Sequence, residues 1–196
     1  KILITGASGM LGSYLVKLLQ KKYDVFGSGN SHFEGNFCKN YKVFDLSNKN
    51  FDPLKKWVCP DIIIHCGALT DLELCEKNPN YAFIVNTFSV KKILEIYPNS
   101  RMIFISTDAV FPDRNFLAKE SLLTNPINIY GRSKEKAEKF ISKDQHLIIR
   151  TTIVGLNSNK LKQSFVEWVL SSLAKNQKLN LYEDVFFTPI TIWHLG

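Results

Sequence analysis

Short apolar runs bounded by turn-forming residues recur along this chain at regular intervals. Lys1 to Thr5 reads as a buried strand, and Asp24 to Ser28, Lys42 to Asp45, Asp61 to His65, Met102 to Ser106 and His146 to Thr151 repeat the pattern. Between these runs the apolar positions change to helical spacing. Leu11, Leu15 and Leu18, with Tyr14 and Leu19 beside them, form a stripe directly after the first strand. A long helix is expected from about Tyr81 to Ile96, after Asn78-Pro79, because proline lacks the N–H that a helix start leaves unpaired. A further helix is expected from Tyr130 to Ser142. Strands alternating with helices predict an α/β fold with a doubly wound parallel sheet.

The first strand runs straight into Gly6-Ala7-Ser8-Gly9-Met10-Leu11-Gly12 and the first helix. Strand, glycine turn and helix is the setting that a dinucleotide fingerprint requires, which makes the predicted sheet Rossmann-like. The first glycine permits the tight turn, the middle one lets backbone approach a pyrophosphate, and the third allows helix and strand to pack closely. Free N–H groups and the dipole at the helix N-terminus favour the anion. The spacing is Gly-x-x-Gly-x-x-Gly rather than Gly-x-Gly-x-x-Gly, so a tight structural turn is the alternative reading.

Two further segments carry candidate chemistry. Ser106-Thr107-Asp108-Ala109-Val110-Phe111 follows an apolar run, and Tyr130-Gly131-Arg132-Ser133-Lys134 opens a charged helical stretch. A Tyr and a Lys four residues apart share one helix face, so the ammonium is expected near the phenol, favouring its ionised form. Thr107 arrives from a separate strand end with a hydroxyl that can hold a carbonyl oxygen while the phenol gives or takes its proton. Tyr-x-x-x-Lys alone is most often ordinary helix surface. Beside a dinucleotide turn, Thr107, Tyr130 and Lys134 read as the catalytic set of a nicotinamide-dependent enzyme.

The glycine spacing with the Tyr and Lys resembles the short-chain dehydrogenase/reductase superfamily, in its extended branch that works on nucleotide sugars. Gly9-Met10-Leu11-Gly12, the run His65-Cys66-Gly67-Ala68-Leu69-Thr70-Asp71-Leu72-Glu73-Leu74-Cys75-Glu76, the Val85-Asn86 pair and Ser106-Thr107-Asp108 are similar to the dTDP-4-dehydrorhamnose reductase family. So is Asp184-Val185-Phe186-Phe187-Thr188-Pro189-Ile190. The resemblance runs in order over nearly the whole chain. It implies NAD(P)H-dependent reduction of a nucleotide-linked 4-keto-6-deoxy sugar, with Tyr130 giving the proton to the carbonyl oxygen and Thr107 hydrogen-bonding the same oxygen. Lys134 is then expected to hold the nicotinamide ribose and bias the tyrosine. In such sheets ligands collect at the carboxyl ends of the strands. Gly6, Ser8, Gly9, Met10, Leu11 and Gly12 lie after the first strand, Asp45 and Leu46 at the third, and Cys66, Gly67 and Ala68 after the fourth. The family likeness implies that Asp45 and Leu46 touch the adenine and that Gly67 and Ala68 line the nicotinamide side. Asp45 reads equally well as an N-cap or turn residue. Asn86, in mid-helix, reads as a structural hydrogen-bonding residue.

Cofactor choice turns on the end of the second strand, where an acid grips the ribose of NAD and a basic group favours NADP. Phe26-Gly27-Ser28-Gly29-Asn30-Ser31-His32 holds neither acid nor arginine. Ser28, Asn30 and His32 can donate hydrogen bonds to the additional phosphate, so NADP is favoured and NAD stays open.

Composition narrows the class. At 196 residues and 45% hydrophobic content the chain can bury a core of its own. No apolar run approaches the roughly 20 residues of a membrane span, and the first residues already form a strand, so a soluble cytoplasmic protein without a signal peptide is expected. The four cysteines form no Cys-x-x-Cys pair and lack a matched histidine cluster, so reduced thiols and no metal site are expected. The formal charge of +7 comes from lysines scattered through helices and loops without dense aromatic interleaving, so no nucleic-acid partner is expected; a positive field suits an anionic nucleotide-sugar substrate equally well, and most single lysines read as solvated surface.

Residues 1–154 are read as the NAD(P)-binding part and 155–196 as part of a substrate-binding region, with helical segments from Leu161 to Ala174 and a last stretch from Leu179 to Trp193. The resemblance implies a longer C-terminal half, so this region reads as truncated, as lacking its tail or as unusually small. Trp168 and Trp193 are expected to pack in a core rather than to stack on a base or sugar. Two other functions fit parts of the pattern: a nucleotide-sugar epimerase or dehydratase, and a non-catalytic regulatory subunit of the methionine adenosyltransferase beta type. The absence of an Asp-Glu pair after Thr107, and the loop after Phe111, favour the reductase over the former. An intact Thr, Tyr and Lys set favours an enzyme over the latter. The sugar, the nucleotide and the assembly, with a homodimer among the options, stay open.

Overall fold

Alternation along the first strand sets the layers of the fold. In β1 (Ile2–Thr5), Ile2 and Ile4 face one side of the sheet and Leu3 the other, all buried, as the two-residue period of a strand dictates. The computed structural model describes residues 1–32, 37–112, 118–158, 163–181, 183, 185 and 187–196. After β1 come α1 (Met10–Leu19), β2 (Val25–Gly29), β3 (Asn40–Val43), α2 (Asp52–Lys55) and β4 (Ile62–His65). Then follow α3 (Leu72–Lys77), α4 (Pro79–Phe83), a π-helical turn (Ile84–Phe88), α5 (Ser89–Ile96) and β5 (Arg101–Ser106). A 3₁₀ turn (Asp108–Val110), α6 (Ile129–Glu138), β6 (Leu147–Arg150), β7 (Thr152–Val154), α7 (Phe165–Ala174), β8 (Pro189–Thr191) and α8 (Ile192–Leu195) complete the order.

Among the described residues, six parallel strands pair in the order β3-β2-β1-β4-β5-β6, the doubly wound arrangement that strand and helix alternation predicts. One face, with Leu3, Ile63, Met102 and Phe104, packs on Val90 and Ile93 of α5 and on Ala137 of α6. The other, with Ile2, Ile4, Val25 and Ile64, packs on Leu11, Leu15 and Val16 of α1 and on Ile192 of α8. The strand order reverses direction between β1 and β4, opening a crevice at their carboxyl ends.

Several boundaries differ from the sequence expectation. The third strand is Asn40–Val43 rather than Lys42 to Asp45, because the Asp45 carboxylate accepts the Ser47 N–H at 2.8 Å and turns the chain. The expected long helix begins at Pro79 and passes through the π turn before continuing as α5. Helix α3, capped by Asp71 accepting from Leu74 N at 2.9 Å, lies in a run that sequence periodicity had left without an element. After Arg150 the chain leaves the main sheet, and β7 pairs with β8 in a separate two-stranded sheet. Helix α7 starts at Phe165 behind a Ser164–Glu167 capping box, and the expected start at Leu161 lies outside the described residues. So do residues 182, 184 and 186 of the last stretch and residues 113–117 of the loop after Phe111. The two tryptophans do not pack in the core as expected: Trp168 is 37% and Trp193 52% exposed. Helix α7 is apolar around most of its girth, and Phe165, Leu170 and Leu173 share the exposure of Trp168.

Candidate active site

A cleft of about 650 Å³ opens where the strand order reverses. Its wall is drawn from the turn after β1, the ends of β2 to β5, α6 and the chain that follows β6. Gly6, Ser8, Gly9, Met10, Leu11, Gly12, Ser28, Asn30, Asp45, Leu46, Cys66, Gly67, Ala68, Thr107, Tyr130 and Lys134 all line it. His32 is not among the lining residues. Residues separated by more than 120 positions in sequence thus share one crevice, as the topology dictates.

Backbone geometry explains the glycine turn. Gly6 has φ +67°, a left-handed conformation, and a Cβ there would lie 2.6 Å from Gly67 N. Gly12 presses the first turn of α1 so close that a Cβ would stand 2.2 Å from Gly6 O. With no bulk between turn and helix, the N-terminus of α1 faces the cleft. Its Gly9 cap makes no side-chain hydrogen bond and its first turn holds no acid. An uncapped N-terminus of a ten-residue helix concentrates N–H groups and a partial positive charge where an anion can sit.

The rim beyond β2 is formed differently from its sequence reading. Ser28 is 1% exposed, so its side chain belongs to the wall, whereas Asn30 is exposed at the surface. Asp45 has the turn role left open by the sequence and lines the cleft as well. Cys66 is lodged against Lys134, and burial pushes its thiol up to about 12, leaving it protonated at neutral pH.

Helix α6 brings the tyrosine and lysine to the middle of the cleft. Asn128 caps it by accepting the Gly131 N–H at 2.7 Å, and Glu76 accepts the Ile129 N–H at 2.7 Å. Gly131, Ser133, Lys134, Ala137 and Glu138 form its buried face. Thr107, just past β5, accepts the Ala109 N–H at 3.1 Å and donates to Asp108 Oδ1 at 3.1 Å. The Thr107 side chain stands close enough to the Tyr130 phenol to favour its ionised form.

The electrostatics differ from the sequence expectation. Burial pushes the Tyr130 phenol up to about 12, and the Thr107 contact offsets only part of that. Sharing a helix face does not bring the lysine head to the phenol: Lys134 Nζ reaches down to the sheet, donating to Ile105 O at 2.7 Å and sitting 4.0 Å over the Phe104 ring centre. Lys134 is 2% exposed, and burial lowers it to about 7 against the opposing pull of Cys66 and Glu138. Beside it His65, wholly buried, shares a 2.8 Å hydrogen bond with Thr5 Oγ1 and stacks on Phe104. Burial pushes its imidazole down to about 3, so it is neutral.

The structural role read for Asn86 is visible in detail. From the π turn, its amide accepts Leu69 N at 2.7 Å and donates to Leu69 O at 3.0 Å and Ser133 Oγ at 2.9 Å. Thr87 donates to Ser133 O at 2.6 Å. The turn after β4 and α6 are therefore tied through one buried side chain. Sequence reasoning missed Leu69, Thr70, Asp108, Thr151, Thr152, Ile153 and Asn157 on the cleft wall. The pair after β6 was open to the same strand-end rule that found Thr107, but Asn157 lies in a connection with no periodic signal.

Residues 1–195 match the family model described as the RmlD substrate binding domain. A probable low-salt glycan biosynthesis reductase of Haloferax volcanii is 32% identical over 197 residues, covering 95% of this chain. The chain spans 65% of the length of that relative. Among solved structures, a hypothetical dTDP-4-dehydrorhamnose reductase from Sulfolobus tokodaii is similar over 100% of this chain and 69% of its own, with 32% identity and a TM-score of 0.86. The dTDP-4-dehydrorhamnose reductase of Bacillus anthracis in complex with NADP aligns over 99% of this chain and 66% of its own, at 27% identity and a TM-score of 0.80. With the glycine turn, the strand order and the Thr, Tyr and Lys set in one crevice, the chain belongs to the RmlD family of extended short-chain dehydrogenases/reductases.

Proposed function

We propose that the protein is an NADPH-dependent reductase of a nucleotide-linked 4-keto-6-deoxy sugar. One observation carries the reading: Thr107, Tyr130 and Lys134 line the same cleft as the uncapped N-terminus of α1. The cradle at that N-terminus, where Gly6 and Gly12 leave no space for side chains, fits a dinucleotide pyrophosphate. Residues 1–154 would hold the dinucleotide and 155–196 would belong to the substrate side. Met10, Leu11 and Gly12 would face the pyrophosphate, Asn30 the adenosine end, and Gly67 and Ala68 the nicotinamide. The NADP in the related Bacillus anthracis structure supports this choice of cofactor.

When bound, NADPH supplies the hydride. The chain's own residues hold the carbonyl and deliver the proton. Tyr130 keeps its proton at neutral pH and is a donor to the carbonyl oxygen, Thr107 hydrogen-bonds that oxygen, and Lys134 holds the nicotinamide ribose. Four free cysteines support a reducing, cytoplasmic setting, and among the described residues no helix is long and apolar enough to cross a membrane.

The test is a screen of nucleotide-linked keto sugars against the full-length protein, following loss of NADPH absorbance. Turnover of a 4-keto-6-deoxy sugar with NADPH is the expected result. NADPH binding without consumption on any keto sugar would overturn the reductase reading and favour a regulatory role for the fold.

A further inference from the structure

Outside the Thr, Tyr and Lys set, Glu138 stands one helical turn after Lys134 on the buried face of α6. Its side chain is 7% exposed, and that of Arg150, at the end of β6, 16%. The carboxylate accepts Ser106 Oγ at 2.5 Å, Arg150 Nε at 3.1 Å and Arg150 Nη2 at 2.7 Å. The guanidinium donates its remaining arm, Nη1, to Glu120 O at 3.3 Å and lies 5.0 Å from the Phe111 ring centre. A buried carboxylate and a part-buried guanidinium thus join four separate pieces of chain. Three of the pieces adjoin the cleft: Ser106 immediately precedes Thr107, Arg150 immediately precedes Thr151 and Thr152, and Glu138 shares a helix with Tyr130 and Lys134. The segment containing Glu120 is further closed by Asn125 N donating to Val110 O at 3.0 Å and Thr124 Oγ1 donating to Glu135 Oε1 at 2.7 Å.

We propose that Glu138 and Arg150 are positioning residues, a clamp that holds the carboxyl ends of β5 and β6 and the segment around Glu120 against the catalytic helix, so that the Thr107 hydroxyl is fixed opposite Tyr130. Desolvating two charges is costly, and an apolar pair of similar volume would fill the same space at equal or greater stability. Such a pair cannot grip a serine hydroxyl, a backbone carbonyl and an aromatic face together. The carboxylate takes the serine hydroxyl, while the fork geometry of arginine reaches the carboxylate, the carbonyl and the ring at once, which a lysine ammonium does not. Retaining the ionic pair therefore serves the alignment of strand ends rather than core stability. Where it concerns turnover, the clamp rests on the reductase reading above.

The experiment replaces the pair with Glu138→Leu combined with Arg150→Met and, separately, makes Arg150→Lys. The double variant should melt at or above the parent and bind NADPH as the parent does. Its keto-sugar kcat should fall by roughly 10²-fold, the scale on which small misplacements of reacting groups act. Hydrogen exchange at the Leu122 and Asn125 amides, measured without ligand, should become faster in both variants. Parent-level exchange and kcat in a stable double variant would overturn the clamp and leave the pair a stabilising contact only. If the double variant does not fold, Arg150→Lys carries the same comparison, with faster exchange expected and unchanged exchange overturning the proposal. If the parent itself reduces no keto sugar, the reductase reading fails, and the exchange measurement still decides the clamp by the same two outcomes.

Discussion

At neutral pH the Tyr130 phenol holds its proton because burial pushes it up to about 12, and this is the state from which it can donate. Tyr130→Phe removes the hydroxyl and keeps the ring, so folding and NADPH affinity should match the parent while turnover drops by roughly 10²- to 10⁴-fold, the usual scale of general acid catalysis. Equal turnover in the variant would show that the proton comes from elsewhere. Lys134 supports a prediction that needs no substrate. Its folded value of about 7 lies below the ordinary 10.5, so between these limits the unfolded chain binds the additional proton and stability rises with pH. The loss is complete below pH 7, where the buried ammonium is charged in the fold as well. Lys134→Met should therefore raise the melting temperature at pH 7 and flatten the increase in stability measured from pH 7 to 9. A variant that melts below the parent, with the slope unchanged, would mean that the 2.7 Å bond to Ile105 O outweighs the cost of burial.

Among the elements, β2 carries the test of cofactor choice, because Ser28, Gly29 and Asn30 line the cleft at its end. A carboxylate at Ser28 would test phosphate repulsion poorly, because that side chain is 1% exposed and a buried acid would disturb the wall itself. Asn30, exposed on the rim, is the better position. The parent should bind NADPH more tightly than NADH in competition titrations at fixed ionic strength, and Asn30→Asp should shift the preference towards NADH, since like charges repel and the added acid can accept from the ribose hydroxyls. Equal affinities in the parent would remove the phosphate contact from the reading and leave the rest intact. Helix α6 and the π turn illustrate a different kind of element-level dependence. The Tyr130 and Lys134 spacing is a property of any helix, but the depth at which they sit depends on Asn86 and Thr87 gripping Ser133 from another helix.

On the scale of the whole molecule, a ligand that binds only the folded state stabilises it by mass action. NADPH at about one hundred times its Kd adds about 2.7 kcal/mol, which for a chain of this size is a rise of roughly 5–10 °C in Tm. Gly9→Val should abolish that rise. A Cβ at Gly9 would meet Gly6 O at 3.2 Å, so that carbonyl must give by a few tenths of an ångström, and the melting temperature of the variant without cofactor is the reference from which its NADPH shift is read. A valine variant still stabilised like the parent would mean the anion sits elsewhere. By itself the sequence determined the alternation of strands and helices, the glycine turn on β1, the strand-end and helix positions of Thr107, Tyr130 and Lys134, and the bonding role of Asn86. Those features depend on spacing and residue type over a few positions. Tertiary structure alone decided what lies opposite each group. The third strand ended early because of the Asp45 turn, the exposed Trp168 and Trp193 escaped a local pattern that marks them only as apolar, and Lys134 turned from its helical neighbour to a carbonyl and ring on β5. Burial, and with it the protonation of Tyr130, Lys134 and His65, comes from chain segments far apart in sequence, so no window of residues around each one contains the information.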